Sequence, residues 1–154
     1  MELDGDRPQA HLARGYVVLR PDRPTDAWRT CRADAIGALG LHRMKAAVAA
    51  AAPGGDARWR LAAAGDAATA IGVALDMMRG PVAGTRFDDA MTAVAVCALE
   101  GDAAACLVTS YVIRRLPLAG RAEARLATSW LLRAFDGLRA RHAPTVPRPG
   151  SSVS

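Results

Sequence analysis

The residues that could support covalent catalysis are few and widely spaced in this sequence. Its histidines and cysteines are His11, His42, His142, Cys31, Cys97 and Cys106. Nucleophilic catalysis needs a nucleophile, a base and an orienting group in contact, and the sequence places no histidine beside Cys97 or Cys106. No GxSxG, HExxH or CxxC pattern occurs. Three cysteines without metal-ligand spacing therefore predict buried free thiols.

Two groups of acids are candidates for acid–base catalysis: Asp88 with Asp89, and Glu100 with Asp102. Each group lies at an expected helix end, where a carboxylate can accept hydrogen bonds from free backbone N–H groups. Capping is therefore their predicted role. Because the chain has only three glutamates and no ExxH pair, the sequence predicts no metal centre. Phosphate loops of the GxGxxG or Walker type are also absent, and we expect no cofactor.

One segment partly resembles a helix-turn-helix, the DNA-binding motif. Residues 35–47 comprise a small helix, a turn at Gly40 and a second helix that opens with polar and basic side chains. In this hypothesis His42, Arg43 and Lys45 face the major groove or the phosphates. Two features weigh against it. Ile36 occupies a position where a small residue is expected, and the second helix soon becomes plain alanine.

The composition indicates the kind of fold that must position these residues. A chain of 154 residues fits one domain. Alanine accounts for 35 residues and aromatic residues for only 5%, which favours close-packed helices over a β-sandwich or barrel. Of the 20 basic residues 19 are arginine, a bias typical of a GC-rich, bacterial genome. The formal net charge of +5 therefore indicates only weak attraction to polyanions.

The strongest organisational signal is a similarity between two segments in the middle of the chain. Gly65-Asp66 and the apolar residues after it recur as Gly101-Asp102, at an offset of 36 residues. The glycine supplies the left-handed residue that ends one helix, and the aspartate caps the next. The pattern predicts two similar αα-hairpins, 56–79 and 87–115. They are either copies of a true repeat or two similar hairpins in one irregular bundle.

Apolar spacing predicts which helix faces point into the core. Residues at i, i+3, i+4, i+7 and i+8 form one face of an amphipathic helix. The predicted inward-facing residues are Phe87, Met91, Val94, Ala95 and Ala98; Ala104, Leu107, Val108, Tyr111 and Val112; and Leu126, Trp130, Leu131, Ala134 and Leu138.

The remaining elements complete an all-α fold, an irregular bundle of six or seven helices. Near the N-terminus, one helix is predicted from Thr25 or Asp26 to about Leu39 and another from Leu41 to Ala52. A final helix covers about 121–141. Residues 15–142 are expected to form a single helical domain, between a disordered segment 1–14 and a disordered, proline- and serine-rich tail, 143–154.

The apolar stretch from Ala90 to Ile113 is long enough to be considered as a membrane span. Its only charged residues are Glu100 and Asp102, which would lie near the bilayer centre at a cost of about 2.5–3.5 kcal/mol for an acid. Gly101-Asp102 also predicts a helix end followed by a helix start, so two helices and no membrane span are expected. The acidic start of the chain and the unpaired cysteines favour the cytoplasm.

These observations leave three hypotheses for function. The first is a non-enzymatic helical module that binds another protein or a second copy of itself. The alternative is a DNA-binding regulator that uses residues 35–47. An enzyme whose active site leaves no linear motif is the third, and no catalytic residue can be assigned to it.

Overall fold

The computed structural model describes residues 23–51, 56–80, 84–116 and 121–142, except for the side chains of residues 121, 137 and 140–142. Its α-helices are α1 (Ala27–Thr30), α2 (Ala38–Ala50), α3 (Ala57–Ala63), α4 (Ala67–Met77), α5 (Thr85–Leu99), α6 (Ala103–Ile113) and α7 (Arg121–His142). None of the described residues lies in a β-strand, so the predicted all-α bundle is confirmed. The segments predicted to be disordered, 1–14 and 143–154, lie outside the described residues.

Helix α5 is the centre of the bundle. Each of the other six α-helices contacts it. Phe87 and all ten residues from Ala90 to Leu99 are buried, so α5 is enclosed on every side along most of its length. A helix that is apolar all round is stable in water only when other elements cover it. Each buried valine or methionine contributes about 1.5–3 kcal/mol to this arrangement.

The two Gly-Asp corners have the same hydrogen bonds. Gly65 and Gly101 both have positive φ, +96° and +102°. At the first corner the N–H groups of residues 65 and 66 donate to the carbonyls of residues 62 and 61, and the equivalent bonds recur 36 residues later. This is the Schellman pattern, in which the glycine takes the conformation that other residues avoid.

Each corner aspartate also begins the next helix. Asp66 Oδ1 accepts from the backbone N–H of Thr69 at 2.7 Å, and Asp102 Oδ1 accepts from that of Ala105 at 2.8 Å. These bonds satisfy one of the free N–H groups at each helix start. The residues on either side of each corner form helices that contact each other, α3 with α4 and α5 with α6.

The N-terminal part of the bundle differs from the prediction of two long helices. Within the described residues from Arg23 onward, α1 and two 3₁₀ turns, Pro24–Asp26 and Ala33–Ala35, precede α2, and the backbone is extended at Cys31 and Ile36. Cys31, Ala33 and Ile36 are all buried. A continuous helix would turn residues 31 and 33 to nearly opposite sides. Breaking the helix allows all three side chains to enter the core.

The apolar stretch from Ala90 to Ile113 contains most of α5 and all of α6, and the Gly101-Asp102 corner separates the two helices. Among the described helices, none combines the length and the apolar character needed to cross a bilayer.

Candidate functional site

Helix α6 faces the opposite way from its prediction. Of the face predicted to be buried, Leu107 and Tyr111 are 49% and 45% exposed, and only Val112 is fully enclosed. The buried side of α6 includes Cys106, Thr109 and Ser110. Thr109 Oγ1 donates to the carbonyl of Ala105 at 2.8 Å, which satisfies the buried hydroxyl. Leu107 and Tyr111 therefore point outward, whereas the buried side also holds Val112 and Ile113.

Helix α7 packs against α6 and also exposes large apolar side chains. Its buried positions are Leu126, Ala127, Ser129, Trp130 and Ala134. Leu132 and Phe135 are 57% and 51% exposed, and Leu138, which was predicted to face the core, is exposed as well. The prediction for Leu126, Trp130 and Ala134 is confirmed, whereas that for Leu138 is wrong.

We define the outer apolar set as the large apolar side chains that α6 and α7 leave exposed. Its members are Leu107, Tyr111, Leu132, Phe135 and Leu138. Exposed leucines on their own are ordinary on protein surfaces. Here two helices in contact both expose large apolar side chains, in addition to the apolar residues Val112, Ile113, Leu126 and Trp130 that they bury. Such an arrangement is typical of a surface that another protein covers.

Contacts on its buried side fix α7 in place. The Arg133 guanidinium donates to two carbonyls at the end of α5, those of Ala98 (3.2 Å) and Leu99. A cation at this position also suits the negative end of a helix. Ser129 Oγ accepts from the backbone N–H of Ala33 at 3.1 Å. The exposed side of α7 is therefore presented by a helix anchored at two points.

Basic side chains adjoin the outer apolar set. The Arg115 guanidinium carbon lies 4.7 Å from the centre of the Tyr111 ring, a cation–π contact. Arg114, Arg115 and Arg139 are exposed. Protein interfaces commonly have a polar rim around an apolar centre, with tyrosine, phenylalanine and arginine enriched.

The structure places the three predicted DNA-contacting residues on one helix, α2, without the predicted turn before it. Gly40, expected to be a turn, lies inside α2 and is buried, and the helix begins at Ala38 instead. His42, Arg43 and Lys45 are exposed on α2. Residues 43 and 45, two apart in a helix, are turned by about 200° from each other. The ammonium of Lys45 also forms an ion pair with Glu100, so its charge is partly neutralised.

The cysteines are unsuited to nucleophilic chemistry. All three are buried and free, which confirms the prediction of unpaired buried thiols. Burial raises the pKa of Cys97 and of Cys106 to about 11, and it also raises the pKa of Cys31. A reactive thiol requires a lowered pKa. The thiol groups of Cys97 and Cys106 instead donate hydrogen bonds to backbone carbonyls, that of Gly65 and that of Ala98 respectively.

The acids divide between capping and ion pairing. Asp102 caps α6, as predicted, and Glu100 pairs with Lys45. The capping prediction for Asp88 is wrong. The residue at the N-cap of α5 is Gly84, and Asp88 Oδ2 accepts a hydrogen bond from the Arg29 guanidinium at 2.9 Å. Burial raises the pKa of Asp88, and the charge of Arg29 opposes this shift. No local sequence pattern indicates this pair, because its members are 59 positions apart.

Comparison of the chain with family models, with curated proteins and with solved structures found no match. The interpretation of the site therefore depends on its own geometry.

Proposed function

We propose that this protein is a non-enzymatic helical interaction module that self-associates through the outer apolar set. One observation supports this proposal above the others: α6 and α7, which pack against each other, leave five large apolar side chains exposed. Apolar surface gains about 25 cal/mol for each Å² removed from water. A sequence that leaves leucine, tyrosine and phenylalanine outside forgoes this gain in the monomer and recovers it when a partner covers them.

The spacing on α7 favours a second copy of the chain as the partner. Leu132, Phe135 and Leu138 are each three residues apart, with the aromatic ring in the middle. When two copies of α7 cross antiparallel about a twofold axis at Phe135, this residue meets its own copy. Leu132 then lies opposite Leu138 of the other copy. A twofold contact of this kind uses the same patch on both subunits.

The size of this surface predicts a weak and reversible association. A few half-exposed side chains fall short of the roughly 1,200–2,000 Å² of total buried area typical of stable complexes. The measured mass should therefore depend on protein concentration. Aromatic side chains supply much of the binding energy of such contacts, so Phe135 is the residue whose loss matters most.

Sedimentation equilibrium over a concentration series tests the proposal. Wild-type protein should rise from 16.1 kDa towards twice that mass, and Phe135→Asp should stay at the monomer mass because a charge in an apolar contact is costly. Leu75→Asp is the matched control, since Leu75 is an exposed leucine on α4. It should associate like the wild type.

Two results would refute the proposal. One is a wild-type chain that keeps the monomer mass at millimolar concentration. The other is an equal loss of association in Phe135→Asp and Leu75→Asp. Circular dichroism of both variants verifies that each retains its helices.

A further inference from the structure

A second surface, separate from the outer apolar set, has the chemistry of a ligand site. A cleft of about 510 Å³ lies between the segment that includes α1 and the first turns of α7. Three guanidinium groups, one hydroxyl and one carboxylate line it, those of Arg29, Arg32, Arg125, Thr30 and Glu123. Its volume falls within the range of small-molecule sites.

Arg29 is held in place by two carboxylates while part of its hydrogen-bonding capacity stays open. Its Nη2 donates to Asp26 at 2.7 Å and to Asp88 at 2.9 Å. Within the described part of the chain, Nε and Nη1 of Arg29 take part in no hydrogen bond. A guanidinium has five N–H donors in a rigid plane, so Arg29 keeps donors for a ligand.

The other two arginines differ in how far they are neutralised. Arg32 donates two hydrogen bonds to the carboxylate of Asp34, from Nε at 2.9 Å and from Nη2 at 2.8 Å. This pairing raises the pKa of Arg32. Arg125 is exposed and belongs to none of the ion pairs formed among the described residues. Arg125 is therefore the cation of the cleft whose charge is least compensated.

We infer that this cleft binds a small oxyanion, a carboxylate or a phosphate group. Guanidinium groups recognise the oxygens of carboxylates and phosphates through paired, charge-assisted hydrogen bonds. Glu123 opposes the binding, because its carboxylate repels an anion in the same cleft, and the aspartates paired with Arg29 and Arg32 offset part of their positive charge. The affinity is consequently modest, and it depends on Arg125 for attraction and on Glu123 for repulsion.

Heteronuclear NMR titrations of the full chain with inorganic phosphate and with citrate, at constant ionic strength, test this inference. Both probes should produce saturable shifts at residues 29–32 and 122–126. Arg125→Ala should weaken binding about tenfold, the equivalent of one charge-assisted hydrogen bond. Glu123→Gln should tighten it, and Arg60→Ala, at an exposed arginine on α3 outside the cleft, should leave it unchanged.

The outcomes distinguish the sources of the oxyanion. Saturation with phosphate alone assigns the cleft to phosphate compounds, and saturation with citrate alone assigns it to carboxylates. Shifts that grow linearly without saturation, or an equal loss of affinity in Arg125→Ala and Arg60→Ala, would overturn the inference. The mass of the protein in solution is independent of these titrations, so self-association and oxyanion binding can fail separately.

Discussion

The corner at Gly65-Asp66 and the corner at Gly101-Asp102 have matching hydrogen bonds, yet the helices they join lie at different depths in the bundle. Residues Ala62, Ala70 and Ala74 are the buried residues of α3 and α4. The second helix pair buries eleven residues in α5 and six in α6. The difference arises because every other α-helix contacts α5, whereas α3 and α4 lie at one side of it. A local pattern thus sets where the chain turns, and the neighbouring helices set how deeply each pair is buried.

Removing a large side chain at equivalent positions of the two pairs should give the largest contrast. Ile113 in α6 is fully buried and Met77, 36 residues earlier, is only partly buried. Ile113→Ala should lower the free energy of unfolding by about 2–5 kcal/mol, and Met77→Ala should cost clearly less because less apolar surface and a smaller cavity are involved. Urea denaturation measures both. Equal losses would mean that the two pairs are equally buried in solution.

The corner glycines should respond alike, in contrast to the side chains around them. A Cβ on Gly101 would meet no atom within 4 Å, and one on Gly65 would meet only Glu100 Oε2, at 4.0 Å. The cost of Gly65→Ala and Gly101→Ala is therefore backbone strain at positive φ, about 1–3 kcal/mol in each case. Chemical denaturation of the two variants should give matching losses. A much larger loss at Gly101 would show that burial affects the corner itself.

The smallest expected effect concerns the acid dependence of the first corner. Hydrogen bonds from the side chain and the backbone N–H of Thr69 lower the pKa of Asp66 below its usual 3.8. A lowered folded-state pKa stabilises the protein above the unfolded pKa, and this contribution disappears as pH falls through the folded value. Asp66→Asn, which retains the capping oxygen, should remove that part of the acid sensitivity. Thermal melts of both proteins between pH 7 and about pH 2 measure it, and parallel curves would contradict the assignment.

The helix ends of the middle of the chain could be predicted from the sequence, and those near the N-terminus could not. At Asp66 and Asp102 the capping groups lie within a few residues of the bonds they make. The break between α1 and α2 has a different cause, because it brings Cys31, Ala33 and Ile36 into one core. The site was predicted even less well. Three members of the outer apolar set, Leu107, Tyr111 and Leu138, were predicted to face the core. Asp88 was predicted to cap a helix rather than to pair with Arg29.

What the amino-acid sequence determined by itself is an all-helical chain with two glycine–aspartate corners, since propensity, left-handed glycines and capping act over a few residues. Only the tertiary structure decided which side of each helix faces inward. In α6 both sides are apolar, with Val112 and Ile113 on one and Leu107 and Tyr111 on the other. Hydrophobicity alone does not separate such faces. The small residues Cys106, Thr109 and Ser110 allow close helix packing, so their side of α6 lies inside together with Val112 and Ile113, and Leu107 and Tyr111 are left on the surface.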